Sequence, residues 1–157
     1  MVKVLYAGSF DPITSGHMDI IKQASEIFDT VIVGVAHNPA KKSFISKEKR
    51  VELIKECVKD LLNIEVFAYE GLTVDFAKSQ NASLLIRGLR NSIDFEYEKQ
   101  LSKINSDINT CIKTVFLISK PENSHISSSA VRELILHKQD ISKYVPKPVE
   151  DFIRDTW

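Results

Sequence analysis

The sequence lacks the features that mark several large classes of protein. No apolar run approaches the roughly 18 residues of a membrane-spanning helix. The first residues follow a strand pattern, with no charged-then-apolar leader. Cys57 and Cys111 lie far apart in the sequence, which suits neither a disulfide framework nor a metal knuckle. We therefore expect a cytoplasmic protein with no membrane partner and with unreactive thiols.

An excess of charge of one sign is also missing. Lys plus Arg and Asp plus Glu both number 21. A nucleic-acid binder usually carries a basic excess, so we expect no nucleic-acid partner, although a local basic pocket for a small anion fits this balance. The 43% hydrophobic and 27% charged residues are typical of a globular protein, and 157 residues predict one domain over 1–157.

Familiar catalytic motifs are absent as well. No Gly-x-x-x-x-Gly-Lys-Ser/Thr loop indicates a P-loop NTPase, and no Gly-x-Gly-x-x-Gly after the first strand indicates a dinucleotide oxidoreductase. No Gly-x-Ser-x-Gly elbow supports a hydrolase triad. No cluster of His, Cys and Asp suggests a metal site built from protein side chains.

Short apolar segments alternate along the chain with helical patterns. Strands are predicted at residues 2–7, 30–36, 64–68, 83–86 and 114–118. Helices are predicted from about 15 to 28, after Ser46, near Thr73, after Ser92, from Ser127 and after Pro146–Pro148, with Ser46 and Thr73 as caps. The helix after Ser92 carries an apolar stripe of Phe95, Leu101, Ile104 and Ile108. The alternation predicts an α/β fold, a Rossmann-like doubly wound five-stranded parallel sheet with helices on both faces.

In such a sheet, ligands bind outside the carboxyl ends of the strands. Gly8 and Ser9 follow the first strand, and His17 stands in the first turn of the next helix, where the helix dipole favours an anion. We interpret His17 as a phosphate contact that donates a hydrogen bond to developing charge. A capping histidine is the structural alternative.

Basic and hydroxyl groups follow other strands. Arg87-Gly88-Leu89-Arg90 offers two guanidinium groups for phosphate. Glu96 or Glu98 of the next helix is a candidate to orient a basic group or a ribose, with a solvated helix face as the alternative. Lys41 lies in a loop at 38–46, where a solvated lysine is the alternative. The serines 127–129 exceed what a helix cap requires, whereas His37, His125 and His137 look like bystanders. With no evident nucleophile, these groups indicate direct phosphoryl or nucleotidyl transfer.

Together these motifs resemble a known family. Residues 8–17, Gly-Ser-Phe-Asp-Pro-Ile-Thr-Ser-Gly-His, are similar to the Thr/His-x-Gly-His signature of the nucleotidyltransferase superfamily, and 126–132, Ile-Ser-Ser-Ser-Ala-Val-Arg, are similar to its second signature. Residues 85–98 and 38–42 narrow the match to the bacterial phosphopantetheine adenylyltransferases. The resemblance covers the whole chain in order.

The resemblance implies that ATP and 4′-phosphopantetheine, with Mg²⁺, give dephospho-CoA and pyrophosphate by direct in-line attack on the α-phosphate. It implies that His17 stabilises the transition state with Lys41 and Arg90. Ser9, Lys41, Thr73 and Arg87 would bind phosphopantetheine. The ATP contacts it implies are Ser9, Phe10, His17, Gly88, Leu89, Arg90, Glu98, Asn123, Ser124, His125, Ile126, Ser127, Ser128 and Ser129.

Some positions depart from the commonest family pattern. Ala7 stands where Pro is frequent, Thr73 where Met is frequent, and Asn123 where an aromatic residue is frequent. None of these changes removes a charged group that the mechanism requires. Two alternatives stay open: another small nucleotidyltransferase, such as one acting on nicotinate mononucleotide, and a non-catalytic nucleotide sensor on the same fold. The family is usually hexameric and inhibited by coenzyme A, and both properties are expectations here.

Overall fold

A computed structural model describes all residues, Met1–Trp157. Five strands alternate with helices along the chain, as the sequence predicts. The strands are β1 Lys3–Gly8, β2 Thr30–Ala36, β3 Ile64–Tyr69, β4 Leu84–Leu89 and β5 Lys113–Ile118. The helices are α1 Ser15–Ile27, α2 Lys47–Cys57, α3 Thr73–Ser79, α4 Ser92–Ile108, α5 Ser128–Leu136 and α6 Lys147–Thr156, with a 3-10 turn at Pro121–Asn123.

The strands form one parallel sheet in the order β3-β2-β1-β4-β5. This confirms the predicted Rossmann-like α/β fold. Val4 of β1 pairs with Val31 of β2 on one side and with Leu84 of β4 on the other. The chain therefore reverses its direction of winding between β1 and β4, which is where ligands bind in open sheets of this kind.

Alternate side chains of β1 enter two separate cores. Val4 and Tyr6 belong to a cluster of 24 buried residues beneath α1, α2, α5 and α6. Leu5 and Ala7 belong to a smaller cluster of nine on the opposite face, beneath α3. Burial on both faces explains why the central strands β1 and β2 are almost continuous apolar runs.

Three local predictions need correction. Strand β4 continues to Leu89, so Arg87 and Gly88 lie within the strand and only Arg90 follows it. Thr73 does not cap α3, since the N-cap is Leu72 and the Thr73 hydroxyl lies 2.8 Å from the Tyr69 hydroxyl. Helix α4 begins at Ser92 and not after it, because its cap is Asn91, which accepts the N–H of Asp94, whereas Ser46 caps α2 as predicted.

The apolar stripe predicted on α4 does not become buried in this chain. None of its residues is buried, and Ile104 and Ile108 stay 53% and 51% exposed. Helix α4 nevertheless contacts β4 and β5. Because apolar spacing specifies a face without specifying what covers it, the sequence pattern was correct for the helix and wrong for its burial.

No helix of the structure is both long enough and apolar enough to cross a membrane.

Candidate active site

The carboxyl ends of β1 and β4 border a cavity of about 340 Å³. It lies at the point where the winding of the sheet reverses. Its lining combines backbone, hydroxyl, guanidinium and carboxylate groups around a small apolar floor. The lining residues are Tyr6, Ala7, Gly8, Ser9, Phe10, Thr14, Gly16, His17, Ile20, Arg87, Gly88, Arg90, Asp94, Glu98, Ser119, Ile126, Ser127 and Ser128.

The loop after β1 is shaped by Gly8 and Phe10. Phe10 is buried with a φ of 47°, in the left-handed region that non-glycine residues rarely adopt. A Cβ at position 8 would lie 3.1 Å from the Phe10 ring. The absence of a side chain at Gly8 therefore lets this ring fold back, where its edge packs 5.0 Å from the His17 ring.

His17 is held in one orientation by Thr14, the N-cap of α1. The His17 Nδ1 atom accepts the backbone N–H of Thr14 at 3.1 Å and lies 3.1 Å from its hydroxyl. The His17 backbone N–H donates to that same hydroxyl. Since Nδ1 is an acceptor, the proton of the neutral ring is assigned to Nε2, for which the chain provides no partner.

His17 stays uncharged near neutral pH. Burial, followed by the positive charge of Arg90, lowers the pKa of His17 from 6.5 to about 4. A neutral imidazole whose N–H lies at a cavity is a hydrogen-bond donor to an incoming anion. This geometry suits charge stabilisation and leaves no nitrogen available to act as a base.

Arg87 is fixed by a carboxylate from α4. Its Nε and Nη2 atoms donate to the two oxygens of Glu98 at 2.6 and 2.7 Å. Its Nη1 donates to the Ala7 carbonyl at 3.3 Å. Burial lowers the pKa of Arg87, but the hydrogen bonds and charge of Glu98 raise it by more. The sequence expectation that an acidic residue of α4 orients a basic group is confirmed for Glu98.

Arg90 has an equivalent partner one helical turn earlier. Its Nε donates to Asp94 at 2.9 Å and its Nη2 at 3.3 Å, and its Nη1 reaches the Ile126 carbonyl at 3.4 Å. Asp94 and Glu98 are four residues apart and share one face of α4. The hydrogen bonds from Arg90 hold the pKa of Asp94 below its ordinary value. Carboxylates of α4 therefore hold both guanidinium groups at the cavity.

The three serines at the start of α5 are engaged with the protein itself. Ser127 is the N-cap and accepts the N–H of Ala130. Ser128 donates to the Pro12 carbonyl at 2.8 Å, and Ser129 accepts from Arg132 at 3.1 Å. Only Ser128 donates its hydroxyl proton in a hydrogen bond, since Ser127 and Ser129 act as acceptors, and the N-terminal ends of both α1 and α5 border the cavity.

No group of three or more His, Cys, Asp or Glu side chains is arranged to hold a metal ion. The two carboxylates that line the cavity, those of Asp94 and Glu98, are already bound by arginines. Because Mg²⁺ takes about six oxygen ligands and retains water, these residues do not form a site for it by themselves.

Comparison with known proteins places this geometry in a family. Residues 5–134 match the family model described as cytidylyltransferase-like. A protein of Campylobacter hominis named phosphopantetheine adenylyltransferase is 51% identical over 151 residues, covering 96% of this chain and 95% of its own length. Proteins with the same name from Leuconostoc citreum and Vesicomyosocius okutanii are 46% and 45% identical over 96% of the chain. The chain belongs to the phosphopantetheine adenylyltransferase family.

A solved structure shares the fold of this phosphopantetheine adenylyltransferase family member at low sequence identity. A Vibrio parahaemolyticus protein described as a nicotinate-nucleotide adenylyltransferase superposes with a TM-score of 0.73 and 19% identity. The match covers 99% of this chain and 93% of that one. At this identity the likeness concerns the fold alone.

Ten of the residues predicted for this family member line the cavity. They are Ser9, Phe10, His17, Arg87, Gly88, Arg90, Glu98, Ile126, Ser127 and Ser128. The other predicted residues do not line it. Lys41 is exposed on its loop, Leu89 is buried in β4, Ser129 faces Arg132, and Asn123, Ser124 and His125 lie in the segment before α5.

Thr73 belongs to a second, smaller cavity of about 160 Å³ on the α3 and α4 side of the sheet. Ala7, Arg87 and Glu98 line both cavities, so the Arg87–Glu98 pair stands between them. The second cavity is partly apolar, with Leu101 of α4 in its wall. The two cavities together form a polar chamber and a partly apolar chamber that share one arginine.

Two functional residues were missed by sequence reasoning in this family member. Thr14 fixes the tautomer of His17, and Asp94 orders Arg90. A signal existed for both, because Thr14 stands three residues before His17 and Asp94 stands four residues after Arg90. Capping boxes use the first spacing, and the second brings a residue just before a helix next to an acidic residue in its first turn. Neither spacing reveals that the partner side chain borders a cavity.

Proposed function

We propose that this chain transfers the adenylyl group of ATP to the phosphate of 4′-phosphopantetheine, forming dephospho-CoA and pyrophosphate in coenzyme A biosynthesis. A phosphate oxygen of phosphopantetheine attacks the α-phosphorus of ATP and forms a new P–O bond. The bond from that phosphorus to the β-phosphate oxygen breaks, and pyrophosphate leaves. Residues 1–157 act as one nucleotidyltransferase domain in this proposal.

The observation that carries the proposal is the state of His17. A neutral ring, whose Nε2 proton has no partner within the chain, lines the same cavity as Arg87, Arg90 and the N-terminal ends of α1 and α5. Charge develops on the equatorial oxygens of the α-phosphate during transfer, and a preorganised donor stabilises it more in the transition state than in bound ATP. No covalent enzyme intermediate enters the reaction.

The nucleotide occupies the polar chamber in this proposal. Arg90 binds the ATP phosphates together with the backbone N–H groups at the start of α5, from Ser127 to Ser129. The backbone of Asn123 to Ile126 contacts the adenosine, as do Phe10, Gly88, Leu89 and Glu98. Support comes from the Nη1 atom of Arg90, which already contacts the Ile126 carbonyl and so joins β4 to the segment before α5.

The acceptor enters from the other chamber. Arg87 binds the phosphate of phosphopantetheine, and Thr73 lines the channel for its arm. Ser9 and Lys41 hold the reacting phosphates. The shared wall supports this assignment, because a phosphate bound by Arg87 lies beside the chamber that holds ATP while its organic arm extends into the partly apolar chamber.

Mg²⁺ arrives with ATP in this proposal. The triphosphate supplies its ligands, and water completes the shell. The support is the pairing of both cavity carboxylates with arginines, which leaves neutralisation of the triphosphate to the ion, to Lys41 and to Arg90.

The exposed face of α4 supports a homohexamer as the working form. Ile93, Tyr97 and Ile104 are apolar, exposed and carried by a helix with no buried residue. An unburied amphipathic helix next to an active-site pair such as Arg87–Glu98 is suited to contact with further copies of the chain. We also propose a cytoplasmic enzyme without a nucleic-acid partner, consistent with the balanced charge.

A substrate panel tests the activity. Purified protein with ATP and Mg²⁺ is given 4′-phosphopantetheine, nicotinate mononucleotide or no acceptor, and pyrophosphate is measured. We expect release with phosphopantetheine only. Release with nicotinate mononucleotide would assign the chain to the other substrate class, and ATP binding without any release would identify a sensor.

A further inference from the structure

Arg50 of α2 is a buried cation that the proposed chemistry does not use. It is 2% exposed, and none of its hydrogen-bond partners is a carboxylate. Its Nε atom is buried without any hydrogen-bond partner. Burying a cation without an ion pair and leaving a donor unpaired both cost free energy, so the arrangement requires an explanation.

The contacts of Arg50 join two loops at the active-site end of the sheet. Its Nη1 donates to the Ser9 carbonyl at 2.5 Å, in the loop that lines the cavity, and to the Ala36 carbonyl at 3.3 Å, at the end of β2. Its Nη2 donates to the Ser43 hydroxyl at 3.4 Å and lies 3.5 Å from the His37 Nδ1. One guanidinium therefore links the Ser9 loop with both ends of the next loop.

That second loop, residues 37–45, carries Lys41 and is called here the Lys41 loop. Its base is closed by a second buried charge, because the Asp11 carboxylate accepts the N–H groups of Phe44 and Ile45 at 2.8 Å each. The Phe44 ring also stacks on Trp157 at 4.7 Å. The tip around Lys41 is exposed, so the base alone holds the loop in place.

We propose that Arg50 is a positioning residue that fixes the Lys41 loop to the Ser9 loop, so that Lys41 and Ser9 approach the reacting phosphates from a defined geometry. The inference rests on the proposed adenylyl transfer for the role of Lys41. Arg50 itself touches no substrate. Its effect is to restrict where the base of the Lys41 loop lies, and this restriction is lost if the fork that binds two loops at once is removed.

Limited proteolysis tests the positioning without any substrate. Dilute trypsin cleaves after the exposed Lys41 or Lys42 faster when the base of the loop opens and lets the segment enter the protease, and the products are followed by mass spectrometry. We expect Arg50→Gln to accelerate this cleavage by about tenfold or more, and Ser43→Ala, which removes one contact and leaves the core intact, by about two- to fivefold. Val58→Ala is the matched control, since it truncates a buried side chain next to α2 away from the loop.

A double-mutant cycle tests whether Arg50 acts through Lys41. We expect Arg50→Gln to lower kcat/KM for phosphopantetheine by about 10²-fold, with Arg50→Lys retaining part of the activity. In a chain that already carries Lys41→Ala, the same Arg50 change should have little further effect on kcat/KM, because the effects of two residues that act through one another are not additive. Tm values of all variants accompany the rates.

The outcomes separate the two proposals. Faster loop cleavage in Arg50→Gln and Ser43→Ala than in Val58→Ala, together with a non-additive cycle, supports the inference. Loop cleavage in Ser43→Ala at the wild-type rate, or multiplied rate losses in the double variant, overturns it. If the wild-type chain itself makes no dephospho-CoA, the proposed function fails, and the proteolysis still decides whether Arg50 closes the loop.

Discussion

The Nδ1 atom of His17 accepts the backbone N–H of Thr14, and this contact fixes the proton of the imidazole on Nε2 at the edge of the cavity. Thr14, which caps α1, therefore also orients the His17 ring. Burial and Arg90 then keep the ring neutral. His17 therefore has a single role in the proposed reaction, as a hydrogen-bond donor to the transferred phosphoryl group.

Replacing His17 should slow chemistry far more than it weakens binding. We expect His17→Ala to lower kcat by about 10²- to 10³-fold while the Kd for ATP changes by only a few fold, because the hydrogen bond strengthens as charge develops. Single-turnover rates and equilibrium binding measure the two quantities. His137→Ala is the control, since His137 is exposed and bonded to Glu133 on α5. Equal losses in rate and affinity would reduce His17 to a ground-state contact.

The lowered pKa of His17 links stability to pH with a defined sign. The unfolded chain protonates this ring near 6.5 and the folded chain near 4, so the unfolded state binds more protons between these values. The stabilisation is fully present above pH 6.5 and is lost as the pH falls through about 4. We expect acidification through this range to lower the free energy of unfolding by about 1 to 3 kcal/mol through the half-buried His17 ring.

Urea denaturation of wild type and His17→Gln at pH 7 and pH 4.5 measures this link. Other titrating groups are common to both chains and cancel in the comparison. The wild type should lose more stability than the variant on acidification. An identical loss in both chains would mean that the histidine titrates normally in the folded state.

The Arg87–Glu98 pair should govern acceptor binding. Arg87→Lys keeps the charge but cannot bind both Glu98 oxygens and the Ala7 carbonyl together. We expect the KM for phosphopantetheine to rise by about tenfold, with the KM for ATP nearly unchanged. Steady-state kinetics with each substrate varied measures the split. Arg154→Lys, at an exposed ion pair on α6, is the control. A larger effect on ATP than on phosphopantetheine would assign Arg87 to the nucleotide.

The apolar face of α4 should hold copies of the chain together. We expect Ile104→Glu to shift a hexamer toward smaller species in sedimentation velocity, because a charge would be buried in the contact. Leu62→Glu is the control, since Leu62 is equally apolar and fully exposed away from α4. A wild-type chain that sediments as a monomer would remove this part of the proposal.

Much of the fold followed from the sequence because its physical causes are local. Strands packed within the sheet are short apolar runs, so β1 to β5 were located to within three residues. The end of β4 was placed too early, since Arg87 and Gly88 face a cavity and break the apolar run within the strand. The exposure of α4 could not be predicted, because an apolar stripe has the same spacing whether it meets its own sheet or another copy.

The residue types of the site were predicted from the sequence, whereas the hydrogen bonds that hold them in place were not. Arginines, serines and a histidine at strand ends indicated phosphate chemistry, but several contacts that hold the site together come from distant segments. Ser128 bonds to Pro12, and Arg50 reaches Ser9 across 41 positions. Such contacts depend on the packing of α2 and α5 against the sheet, and no local pattern encodes them.

Direct adenylyl transfer to phosphopantetheine is tested by following an isotopic label on the α-phosphate of ATP. The protein is incubated with α-labelled ATP, Mg²⁺ and 4′-phosphopantetheine, and labelled species are separated after one turnover. We expect the label to appear in dephospho-CoA, only when the acceptor is present, and never on the protein. Label on the protein, or adenylyl transfer to nicotinate mononucleotide in place of phosphopantetheine, would contradict it.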